Sequence, residues 1–340
     1  MKQPLVTVLM PVHNAERFLK EAINSILQQS FTDLELLIIN DGSTDNSLSI
    51  IQKYNDPRIR VITNEINKGI SYSLNLGIQS SKSSLIARMD ADDISYPERI
   101  AKQYHYMQAH PDCALLNTWA REMTEDGETV RIEKFKSEFY YYNMTFECWT
   151  YHPSVMYRKE AVLAVGGYSQ QHSEDYALFC NLLRRYKMFN LEEVLLDYRI
   201  SKSSLHQVTS KKEYEAAHHQ QVLSNIRFFT GENYHIPPEQ VEALKWNLKP
   251  LIEKGDLKLV DQFIHQIDFI TCKIIEKENP NRHIEAIKQA ALLKKEYTIT
   301  TIARLLPLPK ALRLLIRTAN WKILFFLMRT NIARRLKTDI

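Results

Sequence analysis

Asp90, Asp92 and Asp93 stand directly after the apolar stretch Leu85-Ile86-Ala87-Arg88-Met89. In an extended chain, residues two apart point the same way. Asp90 and Asp92 are therefore expected to face one spot just past a strand end. Hard carboxylate oxygens suit Mg2+ or Mn2+, most of all when phosphates complete the metal shell. A metal-diphosphate site is the first reading; a lone Asp-x-Asp can equally be a solvated acidic loop, and the rest of the chain has to decide. Ser95-x-x-Glu98 then predicts a helix start through a capping box.

Other segments carry groups of the same kind. Asp41 closes an apolar run and is followed by Gly42 and the hydroxyls of Ser43 and Thr44. Its carboxylate can accept from a base or sugar, or simply cap the next helix. Glu174-Asp175 opens an expected helix seven residues after Gly167. One of the two can serve as general base toward a hydroxyl, though acids at a helix start are also favourable in themselves. His152 beside Pro153 reads more readily as structural. Trp119, Trp149 and Tyr140-Tyr141-Tyr142 can stack on a sugar or pack in a core. No Gly-rich dinucleotide fingerprint, P-loop or Gly-x-Ser-x-Gly elbow is present.

The elements that must position these groups alternate. Strands are expected at Leu5–Met10, Leu34–Ile39, Ile59–Thr63 and Ser84–Met89. Helices are expected at Ala15–Gln29, from Ser43 or Thr44 to about Tyr54, and at Ile70–Gln79. Such repeated units predict an α/β fold with a mostly parallel sheet between helices. Ligands in such sheets lie beyond the carboxyl ends of the strands, where the loaded segments fall. Further on, a helix is expected at Tyr96–Ala109, strands at Cys113–Trp119, Tyr151–Arg158 and Val194–Ile200, and helices at Ala161–Val165 and Glu174–Arg185. Beyond about residue 201 only helices are expected, at Glu213–Phe229, Pro238–Glu253, Leu257–Glu278 and His283–Lys295. The organisation expected is a catalytic α/β domain over 1–205, a helical extension over 206–301 and a basic tail over 302–340.

With 340 residues, 44% hydrophobic and 25% charged, the chain is of ordinary globular composition and long enough for about two domains. Cys113, Cys148, Cys180 and Cys272 are scattered, which argues against a zinc site or a disulfide scaffold and for a reducing cytoplasm. The first residues do not read as a signal peptide, and no uncharged run nears the ~20 residues that span a bilayer. The net charge is +4, yet Lys and Arg crowd into the tail at Arg304, Lys310, Arg313, Arg317, Lys322, Arg329, Arg334, Arg335 and Lys337.

In series, these segments resemble glycosyltransferase family 2, with its GT-A fold. The likeness runs over roughly residues 4–206. It rests on Pro11-Val12-His13-Asn14-Ala15, Asn40-Asp41-Gly42-Ser43-Thr44-Asp45, Asn67-Lys68-Gly69-Ile70, Ala87-Arg88-Met89-Asp90-Ala91-Asp92-Asp93, Pro97-Glu98-Arg99, His152-Pro153-Ser154-Val155-Met156, Gly166-Gly167-Tyr168 and Glu174-Asp175-Tyr176. The resemblance implies an inverting transfer of sugar from a nucleotide sugar, a UDP-sugar, to a glycan or lipid-linked acceptor. It implies that Asp41 binds the base, with Pro11, Val12 and Asn14 shaping that pocket. Asp90 would contact the ribose, Asp92 would hold Mn2+ or Mg2+, and Arg88 would support the diphosphate. Asp175 would be the catalytic base, with Glu174 beside it. The chain departs from the family pattern in three places: His13 stands where Tyr is common, Leu74 where Arg is common, and Tyr198-Arg199-Ile200-Ser201 lacks the usual final His. Arg199 remains a substrate-binding candidate.

The tail over 302–340 reads as an amphipathic segment for an anionic membrane surface, its alternative being a helix packed on protein. A peripheral enzyme on the inner face of the cell membrane is the expectation, with no nucleic-acid partner, since the cations alternate with bulky aliphatics. A nucleotidyltransferase and a non-catalytic sugar- or lipid-binding scaffold are the alternatives. The first lacks its Gly-rich basic loop, and the second does not explain Asp41, Asp90, Asp92 and Asp175 together.

Overall fold

The computed structural model describes residues 3–200, 211–253 and 256–318. In chain order the first part consists of β1 (Val6–Val12), α1 (Leu19–Leu27), β2 (Leu34–Asp41), α2 (Ser47–Gln52), β3 (Ile59–Asn64), α3 (Ile70–Ser80), β4 (Leu85–Arg88), β5 (Ile94–Ser95), α4 (Arg99–Ala109), β6 (Cys113–Met123), β7 (Thr129–Glu133), α5 (Tyr140–Asn143), β8 (Met156–Arg158), α6 (Lys159–Ala164), α7 (Glu174–Leu183) and β9 (Lys187–Arg199). β1 and β2 are buried at every position, as continuous apolar runs between two helical layers should be. α1 turns Leu19, Ala22, Ile23 and Ile26 toward the core, the spacing of one helix face. On α3, Gly77 lets the helix approach β1 so closely that an added Cβ would lie 2.1 Å from a methyl of Leu9.

The sheet runs β3-β2-β1-β4-β8-β6-β9-β5, with β7 paired to β6. The ladders joining β3, β2, β1 and β4 are parallel. Beyond β4, the ladders to β8, from β8 to β6 and from β9 to β5 are antiparallel, while β6 and β9 run parallel. The expected parallel sheet is thus one half of a mixed one. β1, β2 and β4 are neighbours, so the segments after their carboxyl ends share one edge.

Local expectations differ from the structure at several places. Ser95 caps no helix: it sits in β5 opposite Leu196, and its hydroxyl accepts from Gln29 Nε2 at 3.1 Å. α4 begins at Arg99 without a side-chain cap. Pro153 shortens the strand expected from Tyr151, and a 3-10 turn occupies His152–Ser154 before β8. The helix expected over Pro238–Glu253 divides into Pro238–Leu244 and Lys249–Glu253, with Trp246 at φ +70° between them.

The chain separates into two compact units. The first holds residues 1–144, 148–221 and 279–281; the second holds 145–147, 222–278 and 282–340. The chain passes from one to the other within the helix Lys211–Thr230. In the second unit, Leu257–Glu276, Ile284–Leu305 and Leu308–Arg317 pack through Val260, Phe263, Ile267, Ile299, Ile302, Leu314 and Leu315, among others. Lys294 is buried there. Its ammonium lies 3.7 Å from the Trp246 ring centroid and donates to the Leu244 carbonyl at 2.7 Å. Burial pulls that amine down to about 7.

Candidate functional site

Asp41 ends β2 and is 3% exposed. Oδ1 accepts from Asn64 Nδ2 at 2.7 Å and from the Lys68 N–H at 3.0 Å; Oδ2 accepts from the Gly69 N–H at 2.9 Å. These bonds tie the end of β2 to the loop that leads into α3. Gly42 takes φ +61°, and a Cβ there would lie 2.4 Å from the Ile66 carbonyl carbon. Glycine is required by both the backbone angle and the close approach. His13 Nδ1–H donates to the Asp41 carbonyl at 2.7 Å, and its Nε2 lies 3.0 Å from the Asn67 amide nitrogen, which fixes Nε2 as the acceptor. Pro11 and Val12 are buried in β1, while Asn14, at φ +49°, accepts from the Thr44 N–H at 2.8 Å. The loops after β1, β2 and β3 are thereby stitched into one wall.

The acidic loop follows β4. One carboxylate oxygen each from Asp90, Asp92 and Asp93 lies within 4.8 Å of the others. Arg88 is 3% exposed and ion-pairs with Asp90. Burial works against the Arg88 charge, yet Asp90, Tyr168 and Asp93 more than offset it, so the guanidinium is held in its charged form. Behind it Arg99, wholly buried, donates to the Arg88 carbonyl at 2.8 Å and to the Pro153 carbonyl at 2.5 Å. Burial first, then Asp90, push Asp92 up to about 6. Burial, then Asp92 and Asp90, also push Asp93 well up. Asp93 Oδ2 is buried without a hydrogen-bond partner among the described residues. Three crowded carboxyl groups with a spare buried oxygen are what a hard divalent cation relieves, and the donor set fits Mg2+ or Mn2+.

Glu174 and Asp175 occupy the first turn of α7, after Ser173 in the left-handed region at φ +55°. A serine held there stores strain of about 1 kcal/mol or more, of the kind that collects at functional sites. Burial first, then Asp175, push Glu174 up to about 8. His152 Nδ1 lies 4.0 Å from Glu174, and its Nε2 is 2.7 Å from the Tyr168 hydroxyl. Tyr198, on β9, feels both acidic groups. Burial, then the charges of Asp93, Asp90, Asp92 and Asp175, raise its hydroxyl. Asp90 and Arg88 also act on Glu174, so the acidic loop and the start of α7 lie within electrostatic reach of each other.

Arg199 ends β9 and is 4% exposed. Its guanidinium is engaged by protein oxygens: Nε donates to the Asp92 carbonyl at 2.8 Å, and a terminal nitrogen donates to Glu21 at 2.6 Å. Motif reading left Asp93, His152, Tyr168 and Arg99 without assigned roles at this site. The Asp-Asp pair and the Pro-Glu-Arg and His-Pro segments were the available signals, but the contacts of Arg99 and Tyr168 run across 54 and 16 residues of sequence.

Residues 7–164 match the family model for glycosyl transferase family 2. The chain is 34% identical to the O-antigen biosynthesis glycosyltransferase WbnJ of Escherichia coli, over 63% of this chain and 86% of that one. It is 30% identical to the UDP-Gal:alpha-D-GlcNAc-diphosphoundecaprenol beta-1,3-galactosyltransferase of Escherichia coli, over 59% of this chain and 76% of that one. S. aureus TarS 1-349, solved in complex with UDP-GlcNAc, superposes with a TM-score of 0.57 over 86% of this chain and 90% of that one. At 16% sequence identity, that likeness speaks to the fold.

Proposed function

Because the chain belongs to glycosyltransferase family 2 and has the GT-A fold, we propose that it moves sugar from a UDP-sugar to a hydroxyl of a cell-surface polysaccharide or lipid-linked glycan precursor, inverting the anomeric carbon. It is an enzyme, a glycosyltransferase; the donor, the acceptor, the metal dependence and the stereochemistry are our reading. The observation that carries it is the cluster of Asp90, Asp92 and Asp93, one carboxylate oxygen of each within 4.8 Å of the others, with buried Arg88 ion-paired to Asp90 and Glu174 within electrostatic reach of both. One relative, named for UDP-Gal and a diphosphoundecaprenol-linked acceptor, supports the donor and acceptor classes.

In this reading Asp41 reads the base. Its two oxygens take three protein donors, which leaves room for one ligand N–H. Pro11, Val12 and Asn14 frame that pocket. Asp90 meets the ribose, and Arg88 places a fixed positive charge behind the diphosphate. Asp92, with Asp93 beside it, would hold Mn2+ or Mg2+. Bound there, the ion would supply Lewis-acid neutralisation of the charge growing on the leaving diphosphate. Asp175 takes the proton of the acceptor hydroxyl as its oxygen attacks the anomeric carbon and the nucleoside diphosphate departs. Glu174, kept protonated by its burial, leaves that duty to Asp175.

Asp175→Asn tests the assignment. Turnover on a panel of UDP-sugars with lipid-linked acceptors should fall about 10²- to 10⁴-fold while donor affinity, read by calorimetry, holds. Retained turnover would remove Asp175 from the mechanism, and a variant that keeps the biological role without turnover would favour a binding scaffold.

The place of action we propose is the inner face of the cell membrane. In the described part of the tail, Leu308–Arg317 buries Ala311, Leu314 and Leu315 on its own unit, and leaves Lys310, Arg313, Leu308 and Ile316 outward. Membrane contact would then use that outer face together with 319–340, which lies outside the described residues. Among the described residues no helix is long and apolar enough to cross a membrane.

A further inference from the structure

Arg199 is placed where an anion-binding arginine is expected, yet its surroundings give it another task. Nε donates to the Asp92 carbonyl at 2.8 Å, one terminal nitrogen to the Glu125 carbonyl at 2.9 Å, and the other to Glu21 at 2.6 Å. Its own backbone N–H donates to Asp93 Oδ1 at 2.8 Å. The flat face of the guanidinium lies 4.2 Å from the centre of the Phe18 ring. With 4% of the residue exposed, little of the cation is left to meet a substrate.

We propose that Arg199 is a positioning residue: it clamps the acidic loop in the geometry that receives the divalent cation, and Glu21 acts on the cation site through it. The inference rests on the metal-nucleotide reading given above. The clamp holds the loop at both working positions, through the carbonyl of Asp92 and the carboxylate of Asp93, while leaving the Asp92 carboxylate unengaged by it. The three acceptors lie on three separate nitrogens of a planar fork, whereas the three donors of lysine share one nitrogen, so lysine, with the same charge, cannot span them. Glu21 stands on α1 with 60% of its side chain exposed, and it accepts from a terminal nitrogen of the guanidinium while the Asp92 carbonyl accepts from Nε. It orients the clamp without belonging to the site.

The test is Mn2+ binding by calorimetry, in the presence of UDP, on the full chain and on Arg199→Lys, Glu21→Gln and the double variant. UDP affinity without metal is measured alongside. Outer partners of metal ligands commonly contribute 10- to 100-fold to metal affinity. Arg199→Lys should weaken Mn2+ binding by about that range, and Glu21→Gln should weaken it by about threefold, in keeping with its exposure. The double variant should be no worse than Arg199→Lys, because Glu21 acts through the same guanidinium. Metal-free UDP affinity should hold in all of them, which a general loosening of the fold would not allow. The proposal is overturned if Arg199→Lys lowers metal-free UDP affinity and spares Mn2+, the signature of a direct diphosphate contact. It is also overturned if Glu21→Gln, a surface change that leaves the fold intact, has no effect on Mn2+. A wild-type protein that binds UDP but no Mn2+ would overturn the metal reading and the clamp together, whereas Mn2+ binding indifferent to both variants would overturn the clamp alone.

Discussion

Glu174 shows how burial divides labour between adjacent carboxyl groups. Its acid is pushed from 4.5 to about 8, by burial first and then by Asp175. The folded protein therefore keeps a proton that the unfolded chain releases near pH 4.5. The stabilisation this gives is complete below that pH and is lost as pH rises through about 8. Glu174→Gln has no proton to lose. Its melting temperature should gain on that of the wild type as pH rises from 5 to 9, by a few degrees at the upper end, since each tenfold difference in proton affinity between the folded and unfolded chain is worth about 1.4 kcal/mol. Thermal unfolding of both proteins across that range checks this. A gap that stays constant with pH would mean that Glu174 is not held protonated. His13 makes a related point at the same scale. It keeps the loops together by donating to the Asp41 carbonyl and accepting from Asn67.

Between elements, the turn after β2 is a tight junction. Gly42 holds φ +61° against the backbone of Ile66 and Asn67, on the loop that supplies the N–H groups of Lys68 and Gly69 to Asp41. Gly42→Ala adds a left-handed backbone penalty and a clash with main-chain atoms, of the order of 1–3 kcal/mol before the loop moves. UDP affinity should fall at least tenfold, with a lower melting temperature, as calorimetry and thermal unfolding would read. An unchanged affinity would detach this turn from the base pocket. Elements of this kind were legible because β1 and β2 are continuous apolar runs and α1 has a clear stripe. Asp41, Asp90 and Asp92 stood out because strand ends display them. β5 and β7 were not legible: the first has two residues and borrows its partner from β9, and the second is largely exposed, so neither has an apolar pattern to reveal it. The Ser95 cap failed for the same reason, since a ladder with Leu196 outcompeted a local hydrogen bond. The clamp around Arg199 was equally hidden, because its partners at Glu21 and Asp92 stand 178 and 107 residues away.

Across the whole molecule, charge and chemistry are separated along the chain. The acidic groups that matter, Asp41, Asp90, Asp92, Asp93, Glu174 and Asp175, all belong to the first unit, and the cations of the tail to the second. The second unit buries Ala311, Leu314 and Leu315 of Leu308–Arg317, so this described stretch of the tail is a packed helix with its outer face exposed. In the proposed function, the molecule as a whole serves one metal-dependent nucleotide site, built on the edge shared by β2, β1 and β4. The most direct test is calorimetric titration of the full chain with UDP, with and without Mn2+, repeated on Asp92→Ala. UDP binding should tighten at least tenfold with Mn2+ and lose that gain in Asp92→Ala. Folded wild-type protein that binds UDP no better with Mn2+ than without it would contradict the proposed site.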